Sequence, residues 1–152
     1  MKIARPSLVI GILLAFSGFT VQAQSSNDAA LETIGAVSGG MLYNSYTALG
    51  ILADAYGAEA YEADFAVQLI DEQIAIYSSL KDQYKGLLDS GFLKDPNDQE
   101  FTRDIVITLD MLTDEANALK NYIESDSEDD AGYFQERRQL AWDKIAYLLG
   151  IE

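Results

Sequence analysis

The sequence contains no histidine and no cysteine among its 152 residues. Without histidine there is no Ser-His-Asp or Cys-His nucleophilic system, no His-ligated zinc and no His-ligated haem. Without cysteine there is no disulfide, no haem-attaching pair and no site for lipid attachment at a lipobox-type cysteine. Basic residues are scarce too: ten Lys and Arg stand against 25 Asp and Glu, a formal charge of −15. That balance argues against nucleic acid or an anionic membrane as partner, since both need cations to neutralise phosphate. With no disulfide, stability must come from core burial, and a chain that is 49% apolar can supply it.

The N-terminus reads as an address rather than as fold. Lys2 and Arg5 precede an apolar run from Leu8 to Phe16, and small and polar residues lead to Val21-Gln22-Ala23. This predicts a secretory signal peptide over residues 1–23, cleaved before Gln24. The run is shorter than the roughly 20 apolar residues that span a bilayer, which speaks against a retained anchor. The remaining 24–152 is expected to form a single domain, exported to the periplasm or the medium. Cleavage would leave eight basic residues against 25 acidic ones, a formal charge of −17.

What is present is helical periodicity. In Phe101 to Ile123 the apolar residues Phe101, Ile105, Leu109, Leu112, Ala116, Leu119 and Ile123 recur every third or fourth position. They form one stripe on a helix, with Asp104, Asp110, Asp114 and Lys120 largely elsewhere. Three further helices are predicted to cover it. The first runs from Asp28 to about Tyr56, with Leu31, Ile34, Leu42, Leu49 and Ala53 on its apolar face and Tyr46 beside it. Its many small residues point to close backbone packing, or to a kink near Gly39-Gly40. The second runs from about Glu59 to Leu88, Gly57 serving as the stop between them. Ala66, Leu69, Gln73, Ile76, Leu80 and Leu87 are its expected inward positions. The third is capped by Asn97 or Asp98 and ends near Glu124. The last spans Ala131 to Leu149, with Phe134, Arg138, Ala141, Ile145 and Leu148 inward. No repeat, linker or alternating strand pattern interrupts this. The fold class expected is all-α, an antiparallel up-down-up-down four-helix bundle.

Four constellations bear on function. The acidic loop Asp126 to Asp130 fails as an EF-hand, because Ala131 holds its glycine position and Arg137 its bidentate glutamate position. No metal ligand set is assigned there, and weak, non-specific divalent-cation binding is the most that is expected. From Gln24 to Leu80 there are eight acidic residues and no basic one, so the first hairpin should present a field of one sign. That field first of all serves solubility and otherwise offers a docking face to a basic partner or a cation-rich surface. Aligning the helices by level brings Asn44, Gln73, Glu115 and Arg138 to one height. These four are predicted to form a structural polar layer in which Arg138 reaches Glu115 or Glu72. That height matches the carboxylate site of ferritin-like di-iron bundles, which requires histidines this chain lacks. Finally, Tyr43 and Tyr46 follow Gly39-Gly40 closely and are the expected ligand or partner contact.

The reading that follows is an exported acidic helical bundle serving as a non-enzymatic binding or interaction module. No catalytic residue and no cofactor is assigned. A basic protein or a small ligand is the expected partner. The alternatives are a small-ligand carrier or carboxylate- and Tyr-based enzyme with its site between the helices, and a structural envelope protein without a discrete site.

Overall fold

A computed structural model describes residues 26–151, with side chains from Ala29 onward. The expected signal peptide and its cleavage point lie outside the described residues. Four helices make up the fold: α1 (Ser26–Gly57), α2 (Ala63–Asp89), α3 (Pro96–Ser125) and α4 (Glu128–Leu149). Among the described residues there is no strand. None of the described helices is long and apolar enough to cross a membrane.

The fold is organised around α3, which packs against all three other helices. Ile105, Leu109, Leu112, Ala116, Leu119 and Ile123 are all buried, and Phe101 is half-buried at the stripe's start. Each of the buried Leu and Ile side chains contributes about 1.5–3 kcal/mol by leaving water. Leu42, Leu49 and Leu52 of α1, Ala66, Ile70 and Tyr77 of α2, and Phe134, Ala141 and Ile145 of α4 close over that stripe. Lys81 pairs with Asp110 at 2.7 Å, Lys120 with Asp71 at 2.8 Å and Lys144 with Asp104 at 2.7 Å. Such rim pairs are each worth about 1 kcal/mol or less and serve mainly to fix helix alignment.

The structure corrects the expected faces of α1 and α2. On α2 the buried positions are Ala66, Ile70 and Tyr77, while Ile76 is exposed. Ile76 and Tyr77 are adjacent, so only one can turn inward, and the larger ring fills the space. On α1, Ile34 is exposed and Ser38 is buried, its hydroxyl hydrogen-bonded to the Tyr84 hydroxyl at 2.6 Å.

Boundaries shift for local reasons. Gly57 does not end α1 by turning left-handed. Glu59 takes that conformation (φ 55°), and the Ala60 amide donates back to the Ala55 carbonyl at 2.8 Å. Helix α2 therefore starts only at Ala63. The α3 cap is Asp95, whose carboxylate accepts from the Asn97 amide at 2.8 Å, with Pro96 in the first helical turn. Ser127 caps α4 by accepting from the Asp129 amide, so Glu128, Asp129 and Asp130 form a first helical turn rather than a loop. Helix α1 is unbroken at Gly39-Gly40. A methyl on Gly39 would stand 2.6 Å from Leu149 Cδ2, whereas one on Gly40 would meet nothing. Close approach to α4 is thus the use of Gly39.

Candidate functional site

Glu115 is the one acidic side chain of the described residues that is fully enclosed, at 0% exposure. It sits one position before Ala116 on the buried face of α3. A lone carboxylate there would be strongly disfavoured. Its partner arrives from α4: Arg138 Nη1 donates to Glu115 Oε1 at 2.8 Å and to the Tyr46 carbonyl oxygen at 3.2 Å. The guanidinium carbon also lies 4.0 Å from the centre of the Tyr46 ring, within cation–π range. Arg138 keeps 22% of its side chain exposed, so its alkyl stem spans the α1–α4 seam while the head reaches inward.

Gly50 makes that reach possible. A methyl at this position would stand 2.9 Å from Arg138 Cζ and 3.1 Å from Nη1. Gly50→Ala should therefore lower unfolding free energy by about 1–2 kcal/mol, despite the gain in helix propensity of about 1 kcal/mol. Gly40→Ala, with open space around it, should instead stabilise by about 0.5–1 kcal/mol. Urea denaturation of the two variants beside the wild type checks both signs.

The predicted residues fall into place unevenly. Glu115 and Arg138 meet, and Glu72 does not take part, accepting instead from Gln68 at 3.1 Å. Asn44 is exposed and lies outside the layer. It follows Leu42 by two residues, about 200° around the helix, so it faces away when Leu42 faces in. Gln73 is half-buried and contributes no hydrogen bond to the pair. The α1 and α2 members are instead the Tyr46 carbonyl and Tyr77, whose hydroxyl lies 3.4 Å from the Ser45 carbonyl. Burial pushes the Tyr77 phenol up to about 12.

Tyr43 and Tyr46 come together through a residue that sequence reasoning left aside, Trp142. Its ring lies 5.3 Å from Tyr46 at 37° and 6.3 Å from Tyr43 at 60°. The Tyr pair and the polar layer are therefore one continuous stack, running from the half-exposed Tyr43 through Trp142 and Tyr46 to Arg138 and Glu115. Burial raises the Tyr46 phenol, and Arg138 opposes that shift.

The chemistry available here is limited by access. Burial pushes the Glu115 carboxyl up to about 7 against the opposing pull of Arg138, a value suited to proton transfer. Yet no surface of Glu115 is open to a substrate. The cleft beside Arg138, lined by Thr47, Gly50, Asp54 and Gln135, has a volume of about 210 Å³. Pockets for drug-sized ligands start at about 300 Å³. Among the described residues there is no group of three or more Asp or Glu able to hold a metal ion. No protein family, no curated protein and no solved structure was found to match the chain.

Proposed function

We propose that the chain is an exported, non-enzymatic binding module whose partner contact is centred on Tyr43 and Tyr46. The observation that carries this reading is the Tyr43–Trp142–Tyr46–Arg138 stack. Tyr, Trp and Arg are the side chains that dominate binding hot spots, because they offer large contact area with few torsions to freeze. Here the stack is anchored inside by Glu115 and presents Tyr43, 44% exposed, to solvent. On the α1 side the contact is free of charge, with no charged residue from Thr33 to Ala53. Export over residues 1–23 rests on the charged start, the apolar run and the Val21-Gln22-Ala23 site. A basic protein is the favoured partner, drawn by the acidic first hairpin before it docks.

The same reading takes the helices as an up-down-up-down bundle. Its support is the pairing order: Asp71 with Lys120 but Lys81 with Asp110, and Ser38 with Tyr84 but Ser45 with Tyr77. In both pairs of helices one number rises as the other falls. The carrier or enzyme alternative is disfavoured by the small cleft at Arg138 and the enclosed Glu115.

The test is a photo-crosslinking residue at position 43 in the exported protein. A discrete crosslinked partner is expected, together with a mature N-terminus at Gln24 by intact mass. Tyr43→Ala should weaken that partner's binding by about tenfold or more, a loss of ~1.4 kcal/mol or above. Thermal stability should change little, because Tyr43 is half-exposed. Retention of full affinity by Tyr43→Ala would remove this contact.

A further inference from the structure

Two acidic segments distant in sequence are neighbours in space. Tyr56 at the end of α1 donates from its hydroxyl to the Ile123 carbonyl at 3.4 Å, and its ring meets that of Tyr122 edge-on, 5.8 Å apart at 89°. These contacts bring residues 54–64 and 124–130 to the same end of the molecule. Together the two segments hold nine acidic residues and no basic one. Between them lies a cleft of about 540 Å³, whose aromatic lining is Tyr56, Tyr61 and Tyr122 and whose acidic lining is Glu59, Glu62 and Asp126.

We propose that this cleft binds an organic ammonium group, either of a small free amine or of a lysine side chain. Two independent features carry this. The first is aromatic. Tyr56 and Tyr122 are nearly perpendicular, and such rings form two walls of a corner, a geometry that lets a rounded cation contact a ring face on one side. The second is electrostatic. Three carboxylates line the cleft and no Lys or Arg does; Lys120, in the last turns of α3, is held by Asp71 at 2.8 and 3.0 Å. A bare metal ion is a poorer fit. A metal needs several oxygens converging at close to 2–2.5 Å, and no such group of acids exists among the described residues. The volume also exceeds what one bare ion occupies and leaves room for the carbon atoms that an organic ammonium group carries.

The backbone around the cleft is set by the fold. Glu59 and Asp126 both adopt left-handed conformations (φ 55° and 50°) at the ends of α1 and α3. Glu62 occupies the cap position of α2 without making a side-chain cap bond. Its carboxylate is thus not committed to the helix it precedes. No residue of the cleft belongs to the Tyr43–Trp142 stack, so the inference does not rest on the function proposed above.

The experiment is an NMR titration of the full mature chain with tetramethylammonium chloride, against sodium chloride at matched ionic strength. Saturable shifts confined to the amides around Tyr56–Ala63 and Tyr122–Asp126 are expected with tetramethylammonium and not with sodium. Tyr61→Ala should weaken the apparent affinity by about tenfold, in line with loss of one cation–π contact. Glu62→Gln, an exposed change with no cap bond to lose, should weaken it less and leave the circular dichroism unchanged. Parallel titrations with spermidine and with a tetralysine peptide read the source: the better binder of the two identifies a free amine or a protein lysine. Shifts that are identical for sodium and tetramethylammonium, or that persist unchanged in both variants, would overturn the site. Neither result bears on crosslinking at position 43.

Discussion

An Arg138→Met variant should unfold about 3–5 kcal/mol more easily than the wild type at pH 7.5, the cost of leaving a buried carboxylate without its partner. The geometry sets the size of the effect. Glu115 is fully enclosed and Arg138 donates to its Oε1 at 2.8 Å, while Oε2 has no donor among the described residues. Methionine keeps the unbranched stem that crosses the α1–α4 seam, so the loss isolates the guanidinium rather than the packing. The penalty should shrink toward pH 5, where Glu115 carries a proton and asks less of its neighbour. Glu115→Leu combined with Arg138→Met should recover most of the loss, because replacing both members of a buried pair by apolar residues is often neutral or stabilising. Urea melts of the two variants at both pH values measure this. A single Arg138→Met variant with unchanged melting and unchanged NMR shifts would mean that the pair does not stabilise the fold.

Legibility of the sequence followed the contrast between faces. Helix α3 has charged residues on one side and aliphatic ones on the other, so its stripe from Ile105 to Ile123 could be read directly. Helix α1 has no charge from Thr33 to Ala53, and nothing there marks which side faces water. Asn44 enters the layer by level alone, and the structure leaves it exposed. On α2 the adjacent Ile76 and Tyr77 both fit an apolar face, and only packing volume chose between them. The Arg138–Glu115 pairing was readable because level and charge pointed the same way. The part played by Gly50 was not, since a glycine in a sequence announces missing volume without naming what fills it. Trp142 carries a signal, lying four residues after Arg138 on the same helix, but periodicity alone does not reveal that its ring meets Tyr43 and Tyr46. The meeting of residues 54–64 with 124–130 required the end of α1 to be known to lie against the end of α3. Charge counting along the chain treats the two segments separately.

The Glu115 carboxyl also gives the fold a pH dependence whose sign can be worked out. Its value is pushed up to about 7 from an ordinary 4.5, chiefly by burial, while Arg138 pulls it down. The other ionisable groups around it are Tyr77 from α2 and Tyr46 from α1, phenols that are neutral throughout this range and that burial raises further above it. Between about pH 4.5 and pH 7 the folded protein keeps a proton that the unfolded chain has already released. Stability must then fall as pH rises through that window, by up to about 3 kcal/mol in total. Below the window the contribution is fully present, and above it the curve from this group is flat. The remaining carboxylates impose their own slope, so the quantity to measure is the difference between wild type and Glu115→Gln, which cannot titrate. That difference in unfolding free energy should decline by about 3 kcal/mol between pH 4.5 and pH 7.5. A difference that rises over the same interval would mean that the charge of Arg138 outweighs the cost of burial, and that Glu115 is ionised throughout.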